Sequence, residues 1–340
     1  MNSGESVEIA CDESGSDGEN LVAGTSRVFA HGSTDLSLDE ASRLIASLQS
    51  DIRFGGSELK SQRLLKGKHI GRTLRLFEPG GALHGRVKVS ITDKAYMAVC
   101  KVVDLVIEED AYRKGVQLHE SGAARQMARD LFAEGPRAYG METWNNLLGE
   151  FVSFVRSTQR KGAKTTLEQL LKTIDDLRLV SRRKRVETAM QWLWEGRTEL
   201  EAYAITEGSR HDEGLRMLDP LIPALMQTAR VWHEATGAAI VLVHDRQSVL
   251  TDEACSLLIR AGNSPHPDFP IRVPIEAIVL ADSRDDPRIQ IADIVAGVGT
   301  MAGRAVLDGE LEDRVRQAIQ PSLIDSSLWG DSESWRQLFN

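Results

Sequence analysis

The stretch LDPLIPALMQTARVWHEATGAAIVLVHD, residues 218–245, decides the fold class. Its first part carries apolar side chains at helical spacing, with Pro220 near the start and Gly237 at the end, which predicts a helix. AIVLVHD (239–245) is then a continuous apolar run that closes on a polar pair. Such a run predicts a strand covered on both faces. A helix feeding a doubly covered strand points to an α/β sheet. Downstream, Thr251 to Leu258 reads as a helix, Pro274 to Leu280 as another apolar strand and Ile289 to Gly303 as an apolar helix. Upstream, residues 6–11 read as a short strand, Leu21–Phe29 as its hairpin partner and His84 to Ile91 as a third strand. Ser37 caps a helix over SLDEASRLIASLQSDI, with Asp39 and Glu40 in the first turn. FGGSELKS (54–61) turns into a second short helix.

Residues 103–205 differ from both flanks. GEFVSFVR, TLEQLLKTIDDLRL and ETAMQWLWEG all have helical periodicity. The prediction is therefore an α/β core in two parts (1–102 and 215–310), a large helical insertion (103–214) and a C-terminal helical tail (311–340). Trp192 and Trp194 are expected to pack helices together.

Composition narrows the function classes. With 41% hydrophobic and 27% charged residues the chain reads as globular. A net charge of −9 argues against a broad nucleic-acid-coating surface, while it suits a site crowded with carboxylates. Cys11, Cys100 and Cys255 lie far apart with no CxxC pair, which excludes a disulfide framework and a zinc signature and predicts a reducing cytoplasm. MNSGESVEIA lacks a basic segment leading into an apolar one, so no signal peptide is expected. No apolar run approaches the ~20 residues that cross a bilayer, so no membrane span is expected either.

The acids carry the chemistry. In CDESGS (11–16) a strand runs out into two adjacent carboxylates. Asp12 ends the first strand, Asp93 follows a middle one and Asp245 a late one, so they converge only if those strand ends share one edge of the sheet. Asp293 is the lone charge in IQIADIVAGVGTMAG (289–303). A buried carboxylate there needs N–H donors, a basic side chain or a cation. Gln290 and Gly297 share its face, and Gly297 is expected to let that face approach a sheet. Hard oxygen ligands of this kind suit Mg²⁺ or Mn²⁺. Two such ions about 3.5–4 Å apart can activate water and stabilise a leaving oxygen in phosphodiester cleavage. Glu58 would complete the metal shell, and Lys60 or Lys94 would hold a phosphate. Taken singly, each aspartate also fits a turn.

DESG, then ELK, then DK after a strand, then HD, then DSR and IQIADIVAG together resemble the family called domain of unknown function 3800, whose members look RNase H-like. The resemblance covers roughly residues 6–100 and 215–305. Its most specific part is Asp282 and Ser283 followed by Gln290, Ala292, Asp293 and Gly297. It implies a mixed sheet flanked by helices, with Asp12 on the first strand and Asp293 on the closing helix. It also implies that Asp12, Glu58, Asp93 and Asp293 bind divalent metal, with Asp245 shared by the pattern.

The expected function is a metal-dependent phosphodiesterase, a nuclease acting on DNA or RNA. SRRKR (181–185), with Arg182, Arg183, Lys184 and Arg185, would supply a phosphate-facing patch together with Arg156, Arg160, Lys161 and Lys164. The alternative is a catalytically inactive RNase H-like module that binds a protein partner in a mobile-element or defence setting. The helical insertion would then carry that partner or a second copy of the chain. An aspartyl phosphatase would want a second Asp where Ser14 stands, and no GxSxG elbow marks a serine hydrolase.

Overall fold

Five strands form one mixed sheet in the order β3-β2-β1-β4-β5: β1 (Ser6–Ser14), β2 (Val28–Thr34), β3 (Val87–Asp93), β4 (Ala239–Asp245) and β5 (Ile275–Ala281). β2 runs antiparallel to both β1 and β3, while β1, β4 and β5 are parallel. The computed structural model describes residues 6–157, 164–210, 215–264 and 272–339.

Helices α1 (Leu38–Ile52), α2 (Ser61–Leu64) and α3 (Ile70–Arg75) link β2 to β3. Ser37 and Glu40 close a reciprocal capping box on α1, as the sequence predicts. Off β3, one helical stretch runs through α4 (Lys94–Val102), a π turn (Val103–Glu108) and α5 (Glu109–Arg113), so residue 103 falls inside a continuous helix. It leads into α6 (Ala123–Tyr139), α7 (Met141–Val155), α8 (Leu167–Val180), α9 (Lys184–Glu195) and α10 (Arg197–Arg210). These helices bury a core of their own around Val106, Trp144, Phe151 and Ile174, against which Trp192 and Trp194 pack. The chain returns to the sheet through α11 (Leu221–Thr236), α12 (Asp252–Asn263) and α13 (Pro287–Asp308), then ends in α14 (Asp313–Ile319) and α15 (Ser332–Gln337).

Strand alternation sorts the two faces of the sheet. Positions 28, 30 and 32 of β2 face α13, which meets them with Gly303, Gly299 and the backbone around Ala292. Positions 31 and 33 face α11, where the His31 ring meets the Thr228 hydroxyl at 2.9 Å and Trp232 donates to Ser33 at 2.9 Å. Among the described residues α13 alone is long and apolar enough to cross a membrane, and 83% of that apolar window is buried inside the fold.

Two expectations are corrected. The second strand is Val28–Thr34, not Leu21–Phe29. Asp17 explains the delay, because its carboxylate accepts from the Thr25 and Ser26 amides and holds those residues in a turn. VFAHGST also hides its strand character, since its polar side chains are buried and bonded across the sheet. Gly297 does allow a close approach, but to Ser61 and Leu65 rather than to the sheet. The glycine that brings helix and sheet together is Gly32.

The C-terminal segment seals the outer edge of β3. Leu323 bridges to Val89 and Leu328 to Thr92, and the Asp93 amide donates to the Leu328 carbonyl at 2.9 Å. A Cβ on Gly32 would lie 2.5 Å from the Ala292 carbonyl oxygen and 2.6 Å from the Ala296 nitrogen. Neither backbone atom can yield without moving α13. Gly32→Ala is therefore expected to lose at least about 3 kcal/mol, read as a lower midpoint in urea unfolding. Gly55→Ala, which meets nothing within 4 Å, should stay within about 0.5 kcal/mol of wild type.

Candidate acidic site

Register builds the site. Asp12 lies opposite Gly32, so its side chain faces α13. β4 pairs in parallel with β1, Cys11 opposite His244, which sets Asp245 beside Asp12 on the same face. α13 lies across that face and carries Asp293. Asp12 is 5% exposed and Asp293 9%. Among the described residues neither has an arginine partner.

Asp293 is held by donors instead. Ser61 gives it the backbone N–H at 2.7 Å and the hydroxyl at 2.8 Å. Burial still pushes its carboxyl up, against those bonds and the Lys60 charge. Asp12 is less well compensated. It accepts the Glu13 N–H at 2.9 Å. Burial first, then the charges of Glu13, Asp293 and Asp245, push it well above the ordinary carboxylate range.

The DSR…IQIAD residues tie the site together. The Ser283 hydroxyl donates to Glu58, and its N–H donates to Asp245 at 3.3 Å. Gln290 accepts the Leu59 N–H at 2.9 Å and donates to the Ser283 carbonyl at 2.7 Å, locking the two rim segments together. Asp282 is occupied by Arg284. Glu58 and Lys60 form an ion pair at the rim. Burial raises Glu58, but Lys60 and Ser283 outweigh it and hold the carboxyl below its usual range. Lys60 is raised by Glu58, Asp293 and Asp12 despite partial burial.

No family model, curated protein or solved structure matches this chain. The site is read from its own residues.

Two expected members lie elsewhere. Asp93 pairs with Val28, four residues along β2 from the Gly32 that faces Asp12, and one strand further out. That separates the two acids by about 13 Å along the sheet and about 10 Å across it. Asp93 instead caps α4, accepting the Ala95 and Tyr96 amides at 3.0 and 3.4 Å. Lys94 is fully buried and its Nζ meets Asp17 at 2.6 Å, so it fastens the β1–β2 turn. Neither role leaves a local trace in the sequence.

Glu13 is the residue that sequence reasoning passed over. Alternation turns it to the α11 face, yet its carboxyl still interacts with that of Asp12. Burial and then Asp219 and Asp245 push it up to about 8. His244 stacks on His31 with ring centroids 5.4 Å apart. Its Nδ1 faces the Asp245 carbonyl at 2.8 Å, and a carbonyl only accepts, so the proton sits on Nδ1. Nε2 is then an acceptor facing Glu13 Oε2 at 3.7 Å. Burial holds His244 down at about 4, so the imidazole is neutral beside a protonated Glu13. The doubled acid in CDESGS was the available signal.

The donor set fits a hard divalent cation in kind, being carboxylate oxygen throughout. Among the described residues, no three His, Cys, Asp or Glu side chains stand close enough together to form a ready-made cage.

Burial raises Asp93 to about 6 against an ordinary 3.8. An acid raised in the fold contributes stability below its unfolded value and loses that contribution as pH rises through the folded one. Asp93→Asn keeps the cap acceptor and removes the charge. Relative to wild type it should gain stability between pH 4 and pH 7, by at most about 3 kcal/mol, in paired urea titrations. Lys94→Met strands Asp17 and should lose about 3 kcal/mol. Neither change should alter Mn²⁺ binding.

Proposed function

We propose that the chain is an RNase H-like, divalent-metal-dependent phosphodiesterase of the domain of unknown function 3800 type, a nuclease cleaving DNA or RNA. The single observation that carries the reading is a buried Asp12 that feels the charges of Asp293 and Asp245, with no arginine partner among the described residues. Such a cluster is destabilising on its own and gains most from a doubly charged ion. A mixed sheet with Asp12 on the first strand and Asp293 on the closing helix is also what that resemblance implies.

Asp12, Asp293 and Asp245 would hold Mg²⁺ or Mn²⁺, with Glu58 joining from the rim once it leaves Lys60. Bound divalent metal supplies an activated water and stabilises the leaving oxygen. Ser61 holds the Asp293 carboxylate in one orientation. Ser283 and Gln290 fix the rim. Lys60, released from Glu58, would take a phosphate oxygen. Three free thiols accord with a cytoplasmic setting.

One observation favours the second reading, a non-catalytic module with a protein partner. Ser61 already donates to both oxygens of Asp293. In that case the acids need no cation.

Metal titration separates the two. Millimolar Mn²⁺ should raise Tm of the EDTA-treated protein and release measurable heat in calorimetry. Asp12→Asn should raise Tm in EDTA at neutral pH, because burial and the neighbouring acids raise that carboxyl and the fold loses stability to it as pH rises, and should abolish the Mn²⁺ increment. Asp293→Asn should lower Tm in EDTA, since Asn offers one acceptor to the two Ser61 donors. A wild-type protein that gives neither heat nor a Tm shift with Mn²⁺ ends the phosphodiesterase reading.

A further inference from the structure

The segment that follows Glu58 is free of acids until Glu78, although the chain as a whole carries a net charge of −9. Its 59–77 stretch holds six basic residues: Lys60, Arg63, Lys66, Lys68, Arg72 and Arg75. α2 and the turn that follows it form an open, shallow groove of about 670 Å³, lined by Lys60, Arg63, Lys66, Lys68 and His69.

In the run 181–185, Arg185 pairs with Asp130 at 3.0 Å and Arg183 approaches Glu134 at 3.7 Å, while Arg182 and Lys184 are exposed with no ion pair among the described residues. Arg160 and Lys161 lie outside the described residues. Within the groove, Lys60 pairs with Glu58 and Arg63 lies over the Phe54 ring at 4.5 Å; outside it, Arg72 pairs with Asp51 at 3.3 Å. Lys66 and Lys68 are exposed and have no ion-pair partner among the described residues. Unpaired ammonium groups facing a groove are where phosphate binding releases most counterions.

The groove also has a fixed relation to the acids. Lys60 lines it and pairs with Glu58, and Ser61, the next residue, bonds Asp293. Lys60 is thus shared between the groove and the rim of the acid site.

We infer that this groove, and not the helical block, binds the phosphodiester backbone of a nucleic-acid strand and delivers it to the acid cluster. The inference rests on the phosphodiesterase reading for delivery, but the binding itself needs no metal. Backbone contact is sequence-independent and salt-dependent. Arg63 and His69 would add planar groups against which a base can lie.

The test uses the full chain in EDTA and fluorescein-labelled single-stranded DNA, single-stranded RNA and duplex DNA of one length, followed by anisotropy across a salt series. At least one should bind, more weakly as salt rises. Lys66→Ala with Lys68→Ala should weaken that binding about tenfold or more at low salt and reduce the slope of log K against log salt by about 1–2. Both side chains are exposed, so an unchanged melting curve is expected for the variant. Arg183→Ala with Arg185→Ala should bind as wild type does. The inference fails if none of the three oligonucleotides binds, or if the Lys66/Lys68 variant binds as tightly as wild type. It also fails if inorganic pyrophosphate at equal phosphate concentration displaces the strand completely, which would mark a small-anion site. Failure of the metal reading looks different: no heat with Mn²⁺, yet salt-sensitive oligonucleotide binding that Lys66→Ala with Lys68→Ala removes.

Discussion

The contact between Gly32 and the backbone of α13 sets the geometry of the whole α13 face. Ala292 and Ala296 approach so closely that no side chain fits between helix and sheet. Gly299 and Gly303 continue the same seam against Val89 and Val28. A helix seated this deeply can carry a carboxylate to within reach of a strand residue nearly three hundred positions away in sequence. On its outer side Gly297 lets Ser61 come in, and Ser61 then supplies both donors to Asp293. The same small residues thus create the packing and the charged centre.

That centre is a balance of two kinds of compensation. Asp293 is stabilised by fixed donors, and Glu58 by an ammonium. Asp12 is left with one N–H and three acidic neighbours. Burial in low dielectric magnifies the imbalance. On the other face of the sheet Glu13 is raised as well, and His244 beside it is held neutral. One strand end therefore presents an acid to each face, and burial together with Asp245 raises both.

The sequence makes β4 plain, because a largely buried strand reads as an unbroken apolar run. β5 is also apolar, although it is an edge strand whose Val279 is 46% exposed. β2 does not read this way, because buried His31 and Ser33 satisfy themselves on Thr228 and Trp232, partners some two hundred residues distant. Asp12 and Asp245 stand out in the sequence as carboxylates at strand ends, and Asp293 as the lone charge of an apolar helix. Asp93 looks identical by the first criterion. Register along β2 separates them, and register is a non-local property that spacing alone does not encode. The basic run at 181–185 was conspicuous in sequence and is partly neutralised in three dimensions, whereas the cations between Glu58 and Glu78 are spread thinly enough to escape notice.

The strap over β3 has a kinetic side. Leu323 is 230 residues beyond Asp93, and β4, the parallel neighbour of β1, also emerges long after the hairpin strands. At ribosomal speeds that gap is on the order of tens of seconds. Through that interval the nascent sheet has two unfinished borders and only three strands, while the helices from Lys94 onward emerge with a core of their own to bury.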